Sequence, residues 1–383
     1  MTGSSSDLQG PDVWEDAEHE PCRQKGGSAV RGHRPFRIVS AMLAFAFVMA
    51  ACGGGDGGSG GDGGGTIRFV FSPDPVWNWL EDQGILADME KESGFTIQRF
   101  ESEDEFAFFA GGHADVVSTG SYETPVLESE NGVPTVTIGK YNMAKDIVVV
   151  AADSGYKTFA DLPKGCKVGV ESFSGSTIVW QALAKDLDGR TLAEDPSDLQ
   201  MAITDFDLAP ELVLSGDLCA GVTSIYNAIG PLMAGDVVGL YDNESASQLY
   251  ADNYEPGHQG MDSNNFVVLK SWYDDHVPEV AFFLSVWQRG LDEWANNRQA
   301  ILEAYPDDFG YKDDAELAYL NDWYDNQFDE FVDSVYLTED WINGEEQVTE
   351  LLRDAGLISA DQQQPLHVCI DPSSGEETCR LPA

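Results

Sequence analysis

The chain has 383 residues, with 67 Asp or Glu against 21 Lys or Arg and a formal net charge of −46. A field of that sign repels nucleic acid and anionic lipid headgroups, which argues against a DNA-, RNA- or membrane-surface binder. The acids are scattered along the whole chain rather than gathered for one basic partner, so the charge reads as a device for solubility in a saline habitat.

The first distinctive element is the apolar run Ile38 to Ala51, which follows Arg23, Lys25, Arg31, Arg34 and Arg37 and ends at Met49-Ala50-Ala51-Cys52. It falls short of the ~20 residues that span a bilayer, and small residues precede the cysteine as a signal peptidase requires. Residues 1–51 are therefore expected to be a lipoprotein signal peptide, with Cys52 the lipidated first residue. Met49 stands where such signals more often carry Leu. Thirteen residues of only Gly, Ser and Asp follow, a flexible tether (52–65 with the cysteine) with an r.m.s. span of roughly 20 Å. No second apolar run of spanning length follows, so lipid is the only membrane anchor the sequence offers. The expected location is extracytoplasmic.

The 318 residues after Gly65 exceed a comfortable single core, and two lobes are the default expectation. From Thr66 onward short apolar runs alternate with helical stretches, which predicts an α/β architecture with mainly parallel sheets. Strands are expected at 67–71, 96–100, 115–119, 135–139, 147–152, 167–170, 200–206, 220–224 and 266–270. Helices should open at Pro75, Glu103, Pro125, Thr177 and Leu208; both prolines sit in a first turn, where the missing N–H costs nothing. After Lys270 the pattern turns helical. Val280, Phe283, Leu284, Trp287, Leu291 and Trp294 have the spacing of one buried face, and 315–335 and 345–353 read as further helices.

Four cysteines remain after Cys22 and Cys52, an even number that favours disulfides in an exported protein. Three pairings are formally possible. Cys369 and Cys379 bracket the turn-forming Asp371-Pro372-Ser373-Ser374-Gly375. Cys166 and Cys219 each stand at the start of a predicted strand, and parallel neighbours would bring them within disulfide range.

Ligands of open α/β sheets sit outside the carboxyl ends of strands, where helix N-termini aim free N–H groups into a crevice. Four turns here are equipped for that. Ser72, Pro73 and Asp74 lead to Trp77; Thr119, Gly120 and Ser121 follow the third strand. Ser174, Gly175, Ser176 and Thr177 follow the sixth, and Ser224, Tyr226 and Asn227 follow the strand at 220–224. Each turn alone is better explained by helix capping than by ligand contact.

In order, these segments resemble the ABC-transporter substrate-binding proteins of the sulfonate, nitrate, taurine and thiamine-pyrimidine group. The residues that carry the likeness are 75–95 (PVWNWLEDQGILADMEKESGF), 109–118 (FAGGHADVVS), 167–177 (KVGVESFSGST) and 212–224 (LVLSGDLCAGVTS). The resemblance covers about 67–294 and implies the type II periplasmic binding protein fold: two doubly wound, mainly parallel sheets joined by a two-strand hinge, here with a helical C-terminal extension. It implies lobe one at 66–145 plus 265–383 and lobe two at 146–264, with crossings near 147–152 and 264–268. A ligand held between the lobes favours closure by its differential affinity for the closed form, and a membrane permease would receive it. No Gly-x-x-x-x-Gly-Lys-Ser/Thr occurs, so the ATPase would be a separate subunit. A monomer without cofactor or metal is expected.

Hydroxyls and helix N-termini, with Trp77, Tyr141 and Tyr226 as candidate walls, suit a small organic molecule with an anionic end, such as a sulfonate, taurine or a carboxylate, or a flat pyrimidine. Asp74 and Asp262, on reaching the cleft, would favour an amine or ring N–H donor instead. The rival reading is a pyrimidine-forming enzyme of thiamine synthesis on the same fold. Against it, the cysteines are unclustered and His113, His258, His276 and His367 lack metal-ligand spacing. A regulator's effector domain would need a helix-turn-helix where this chain carries a lipid signal.

Overall fold

β-Branched and aromatic residues dominate the first strand, TIRFVF, whose residues from Phe69 onward are buried on both faces, the pattern of a central parallel strand. The structure is a computed structural model and describes residues 65–72, 74–102, 105–173, 175–194 and 198–382. The expected signal, Cys52 and the tether up to residue 64, Pro73, the helix opening expected at Glu103, and Ser174 lie outside the described residues. Thirteen strands are described. β1 (Thr66–Phe71), β2 (Thr96–Glu101), β3 (Val116–Thr119) and β4 (Thr135–Met143) belong to one sheet, with β5 (Ile147–Ala151), β6 (Cys166–Val170), β7 (Leu192–Ala193), β8 (Leu199–Ile203), β9 (Ala220–Thr223) and β10 (Val237–Gly239) in a second. β11 (Asp262–Leu269), β12 (Leu366–Ile370) and β13 (Glu377–Leu381) return to the first.

The first sheet has the order β13-β12-β4-β11-β3-β1-β2, the second β10-β5-β9-β6-β8-β7. β1 pairs in parallel with β2 and β3, and β6 with β8 and β9. β11 and β5 are antiparallel to both of their neighbours. Each is the strand that enters its sheet directly from the other half, with no crossover helix to turn it parallel.

Before the C-terminal extension, two passes join the halves. Residues 144–146 form one, beside Met261: the Ala144 N–H donates to Met261 O at 2.8 Å, Ser247 N–H to Ala144 O at 3.0 Å and Ala246 N–H to Asp146 O at 3.0 Å. The crossings expected near 147–152 and 264–268 thus lie a few residues earlier, because β5 and most of β11 are already inside their sheets.

The first core is aromatic. Phe69 stacks on Phe71 at 4.6 Å and meets Phe283 edge-on at 4.8 Å, while Trp287 lies 5.2 Å from Trp77 and 5.1 Å from Phe266. The helix Val277–Ala304 supplies Val280, Phe283, Leu284, Trp287, Leu291 and Trp294 to it, all buried, the one face its spacing predicted.

The C-terminal extension departs from expectation in two places. The helix expected over 315–335 stops at Asn326, and the following residues run extended beside β4: Phe331 bridges Asn142, and Lys140 N–H donates to Val335 O at 3.1 Å. The helix Glu339–Ala355, expected with the first lobe, packs its Val348, Leu351 and Leu352 into the core around Val179, Trp180 and Leu183 of the second. The helix Ser176–Asp188 is consequently apolar nearly all round, with a sheet on one side and this helix on the other.

Cys166 is bonded to Cys219 across the parallel neighbours β6 and β9 (Cα–Cα 6.0 Å), and Cys369 to Cys379 within the β12–β13 hairpin (4.9 Å). The first closes a loop of 53 residues, which in the chain-entropy account is worth about 4 kcal/mol. A Cys166→Ala, Cys219→Ala double variant should melt about 6 °C lower by calorimetry, more than the corresponding 369/379 variant, whose loop spans 10 residues. Equal losses from the two would contradict the loop-length argument.

Candidate functional site

The four expected elbows follow β1, β3, β6 and β9, at the carboxyl ends of strands in the two sheets. Asp74 is the N-cap of the helix Pro75–Asp82: its Oδ1 accepts from Val76 N–H at 2.8 Å and Trp77 N–H at 3.2 Å. Asp74 is 6% exposed, and burial pushes its pKa up to about 6, against the pull of Lys145 and of the two N–H donors. Capping and siting coincide here, since the same side chain also faces Tyr141, Lys145 and Glu330.

The elbows after β3 and β6 meet across the two halves. Glu123 joins them: its Oε2 accepts from Gly120 N–H at 2.9 Å and from the Thr119 hydroxyl at 3.1 Å, and its Oε1 accepts from Gly175 N–H at 3.0 Å. Gly175 has φ +60° and ψ −141°, a backbone position that a side chain would strain, and it turns its N–H outward at the N-terminus of the helix Ser176–Asp188. Ser176 hydrogen-bonds Asp146, a residue of the first pass, whose carboxyl is raised by burial and held back by Ser176 and Lys145.

On the β9 side, Tyr226 is drawn into the extension. Its hydroxyl donates to Glu330 and lies 2.8 Å from the Tyr324 hydroxyl. Lys145 Nζ lies 3.4 Å from Glu330 Oε1 and 4.7 Å from the centre of the Tyr226 ring, a carboxylate on one side and a π face on the other. Asp74, Asp146 and Glu330 therefore share the ammonium of Lys145.

Other expected residues turn elsewhere. Trp77, expected on a wall, is fully buried among Phe69, Phe71 and Trp287, because Val76, Trp77 and Leu80 form the sheet-facing side of their helix. Tyr141 is 2% exposed and stacks on Trp287 at 4.3 Å, so its ring is core and only its hydroxyl side faces Ser118 and Asp74. Thr177 donates back to Ser172 O at 2.8 Å, and Asn227 donates to the Ser224 hydroxyl at 3.3 Å, both within their own turns. Ser72 is engaged within the protein.

Ser121 and Asp262 belong to a second, buried cluster at the other pass. The Ser121 hydroxyl donates to Asp262 O at 3.0 Å and also meets Glu345. Asp262 Oδ2 accepts from Trp341 Nε1 at 3.1 Å, and Lys140 lies over the Trp341 ring at 4.1 Å. A cavity of about 610 Å³ lies beyond Lys140 and Trp341, toward Tyr336 and the Cys369–Cys379 bridge; none of the four elbows lines it.

Reading the sequence missed Glu123, Lys145, Asp146, Tyr324 and Glu330. For Glu123 a signal was present: an acidic residue three positions after Gly120 is half a capping box. The other four come together only through the hinge and the extension.

No family model matches the sequence, and no curated protein matches it. Solved structures do. The periplasmic aliphatic sulphonate binding protein SsuA from Escherichia coli is 15% identical with a TM-score of 0.59, covering 78% of this chain and 90% of that one. The alkanesulfonate-binding SsuA from Xanthomonas axonopodis pv. citri, bound to MOPS, is 12% identical at a TM-score of 0.59, covering 78% and 96%. The Candida albicans CA3427 product, described as having the generic periplasmic binding protein fold, is 13% identical at 0.55, covering 77% and 92%.

The chain has the two-lobed fold of the periplasmic binding proteins. The resemblance carried by the four sequence stretches holds at the level of fold, and the helical C-terminal extension is present as expected.

Proposed function

We propose that this protein is the extracytoplasmic solute-binding receptor of an ABC importer. It would capture a small organic molecule between its lobes, bind it without transforming it, and hand it to a permease served by a separate ATPase subunit. One observation carries the reading: backbone N–H groups from opposite lobes, Gly120 and Gly175, converge at 2.9 and 3.0 Å on a single carboxylate. Two lobes that present donors to one shared acceptor are built to be bridged by what lies between them. The fold supports the same role by analogy, since the E. coli and Xanthomonas neighbours are named as sulfonate-binding proteins. A lipid on Cys52 and the Gly-rich tether would keep the body near its permease.

A ligand at a hundredfold its Kd stabilises the folded state by about 2.7 kcal/mol, a rise in Tm of about 4 °C for a body of this size. Melting the protein with alkanesulfonates, taurine, nitrate, aromatic carboxylates, pyrimidines and amines in turn should yield a saturable rise for one class, with the hit recovered unchanged. Consumption of the hit by the chain alone would favour the enzyme instead.

A further inference from the structure

The cavity of about 610 Å³ beside Trp341 has a buried lysine in its wall. Lys140 is 3% exposed, and among the described residues its one hydrogen bond is the one it donates to Ser334 O. Its ammonium rests over the Trp341 ring, and Asp262, Glu345 and Asp333 act on it through space without forming an ion pair or hydrogen bond to it. An ammonium has three N–H groups. Withdrawn from water with one acceptor and one π face, this one has donors left for a partner that enters from the cavity.

Tyr336, Leu337, Trp341 and Ile370 give the cavity apolar and aromatic surface, and the Cys369–Cys379 bridge fixes the hairpin that forms one side. The N-cap Thr338 and the first residue of the 17-residue helix Glu339–Ala355 lie in the same wall, so the positive end of that helix adds its field to that of Lys140. Three acids line the cavity too. Asp333 and Glu339 are exposed, where salt and water screen them, and the Asp371 carboxylate is held by the Ser373 and Ser374 N–H groups. Lys140 is buried and is the single cation of the wall among the described residues, so one negative charge is favoured beside it and a second, nearer the acids, is opposed.

We propose that this cavity is a ligand site separate from the interlobe region, and that it takes a small monocarboxylate with an apolar body, its carboxylate on the Lys140 ammonium and its hydrocarbon against Tyr336, Leu337 and Ile370. The volume is in the range of small-molecule sites. The site shares no residue with the four elbows, so it stands or falls apart from the receptor reading.

The test uses the full chain at pH 7.5 with hexanoate, hexan-1-ol, n-hexylammonium and hexanedioate as probes. Titration calorimetry should show saturable binding of hexanoate, with the other three at least tenfold weaker. Hydrogen exchange should slow in 334–342 and 366–379 on adding hexanoate and stay unchanged in 119–124 and 175–180. Lys140→Gln should weaken hexanoate at least tenfold where circular dichroism shows it folded. Thr378→Trp changes an exposed residue of the cavity wall, leaves Lys140 in place, and should weaken hexanoate as much by filling the space without lowering the melting temperature. Absence of saturable hexanoate binding up to about 10 mM overturns the proposal. So does n-hexylammonium binding as tightly as hexanoate, undiminished hexanoate binding by Thr378→Trp, or protection that falls on 119–124 and 175–180 instead.

Discussion

Replacing Lys140 by methionine should destabilise the protein by about 3–5 kcal/mol at pH 8, the usual cost of removing one partner from a buried ionic group. Lys140 is 3% exposed; its ammonium donates to Ser334 O and faces the carboxylates of Asp262, Glu345 and Asp333. Burial pulls its pKa down while those carboxylates pull it up. Burial pushes Asp262 up to about 7 despite Lys140 and the Trp341 N–H, and pushes Glu345 well above the ordinary carboxylate range, with Asp262 adding to the rise. The sign follows. A carboxyl raised in the folded state binds its proton more tightly than in the unfolded chain. Its contribution to stability is therefore greatest below about pH 4 and declines as pH rises to about 7.

Without Lys140 both carboxylates are uncompensated, so the methionine variant should lose much less at pH 5, where they take up protons, than at pH 8. Asp262→Asn should act the other way: it leaves Lys140 opposite Glu345, preserves an acceptor for Trp341, and flattens the decline in stability between pH 5 and 8. Denaturant titrations at the two pH values measure both. A methionine variant that loses less than about 1 kcal/mol at pH 8, or the same amount at both pH values, would falsify this account of the cluster.

That cluster also marks the boundary of what the sequence makes legible. The strands could be read because β1, β3, β6 and β9 are short apolar runs bounded by polar turns, and local periodicity suffices for such elements. The elbows could be located for the same reason, since they follow directly from strand ends. Side-chain direction could not. Trp77 and Tyr141 look like aromatic walls in one dimension, and only the helix face and the sheet register send both into the core with Trp287. Glu345 and Glu330 are ordinary acids of a very acidic chain until the extension carries one to Asp262 and the other to Tyr226. The short strands Leu192–Ala193 and Val237–Gly239 escaped notice because two or three residues carry no period. The extended stretch after Asn326 escaped for a different reason: its strand-like conformation is imposed by the part of β4 beyond its pairing with β12, a tertiary cause with no local signature.

The C-terminal extension holds the second lobe at two places, and one of them should be breakable by a single side chain. Gly310 has φ +68°, and a Cβ there would run into the backbone carbonyl of Tyr226 at the start of the helix Ile225–Ala234. Tyr226 is the residue that also carries the hydroxyl contacts to Tyr324 and Glu330, and Phe309 meets its ring edge-on at 5.6 Å. Because the obstacle is main chain, rotamer changes cannot relieve it. Gly310→Val should therefore cost about 3 kcal/mol, combining roughly 1–2 for a branched side chain at positive φ with 1–3 for the overpacked contact. Gly356 separates the two terms: it ends the helix Glu339–Ala355 at φ +77°, but a Cβ would meet nothing within 4 Å. Gly356→Val should pay the backbone part alone, about 1–2 kcal/mol. If the contact at Tyr226 clamps the extension to the second lobe, Gly310→Val should also raise hydrogen exchange in 225–234 and 314–326 while leaving the β1–β3 core protected. Equal destabilisation by the two valines, or exchange that rises everywhere at once, would show that the extension is not held at this point.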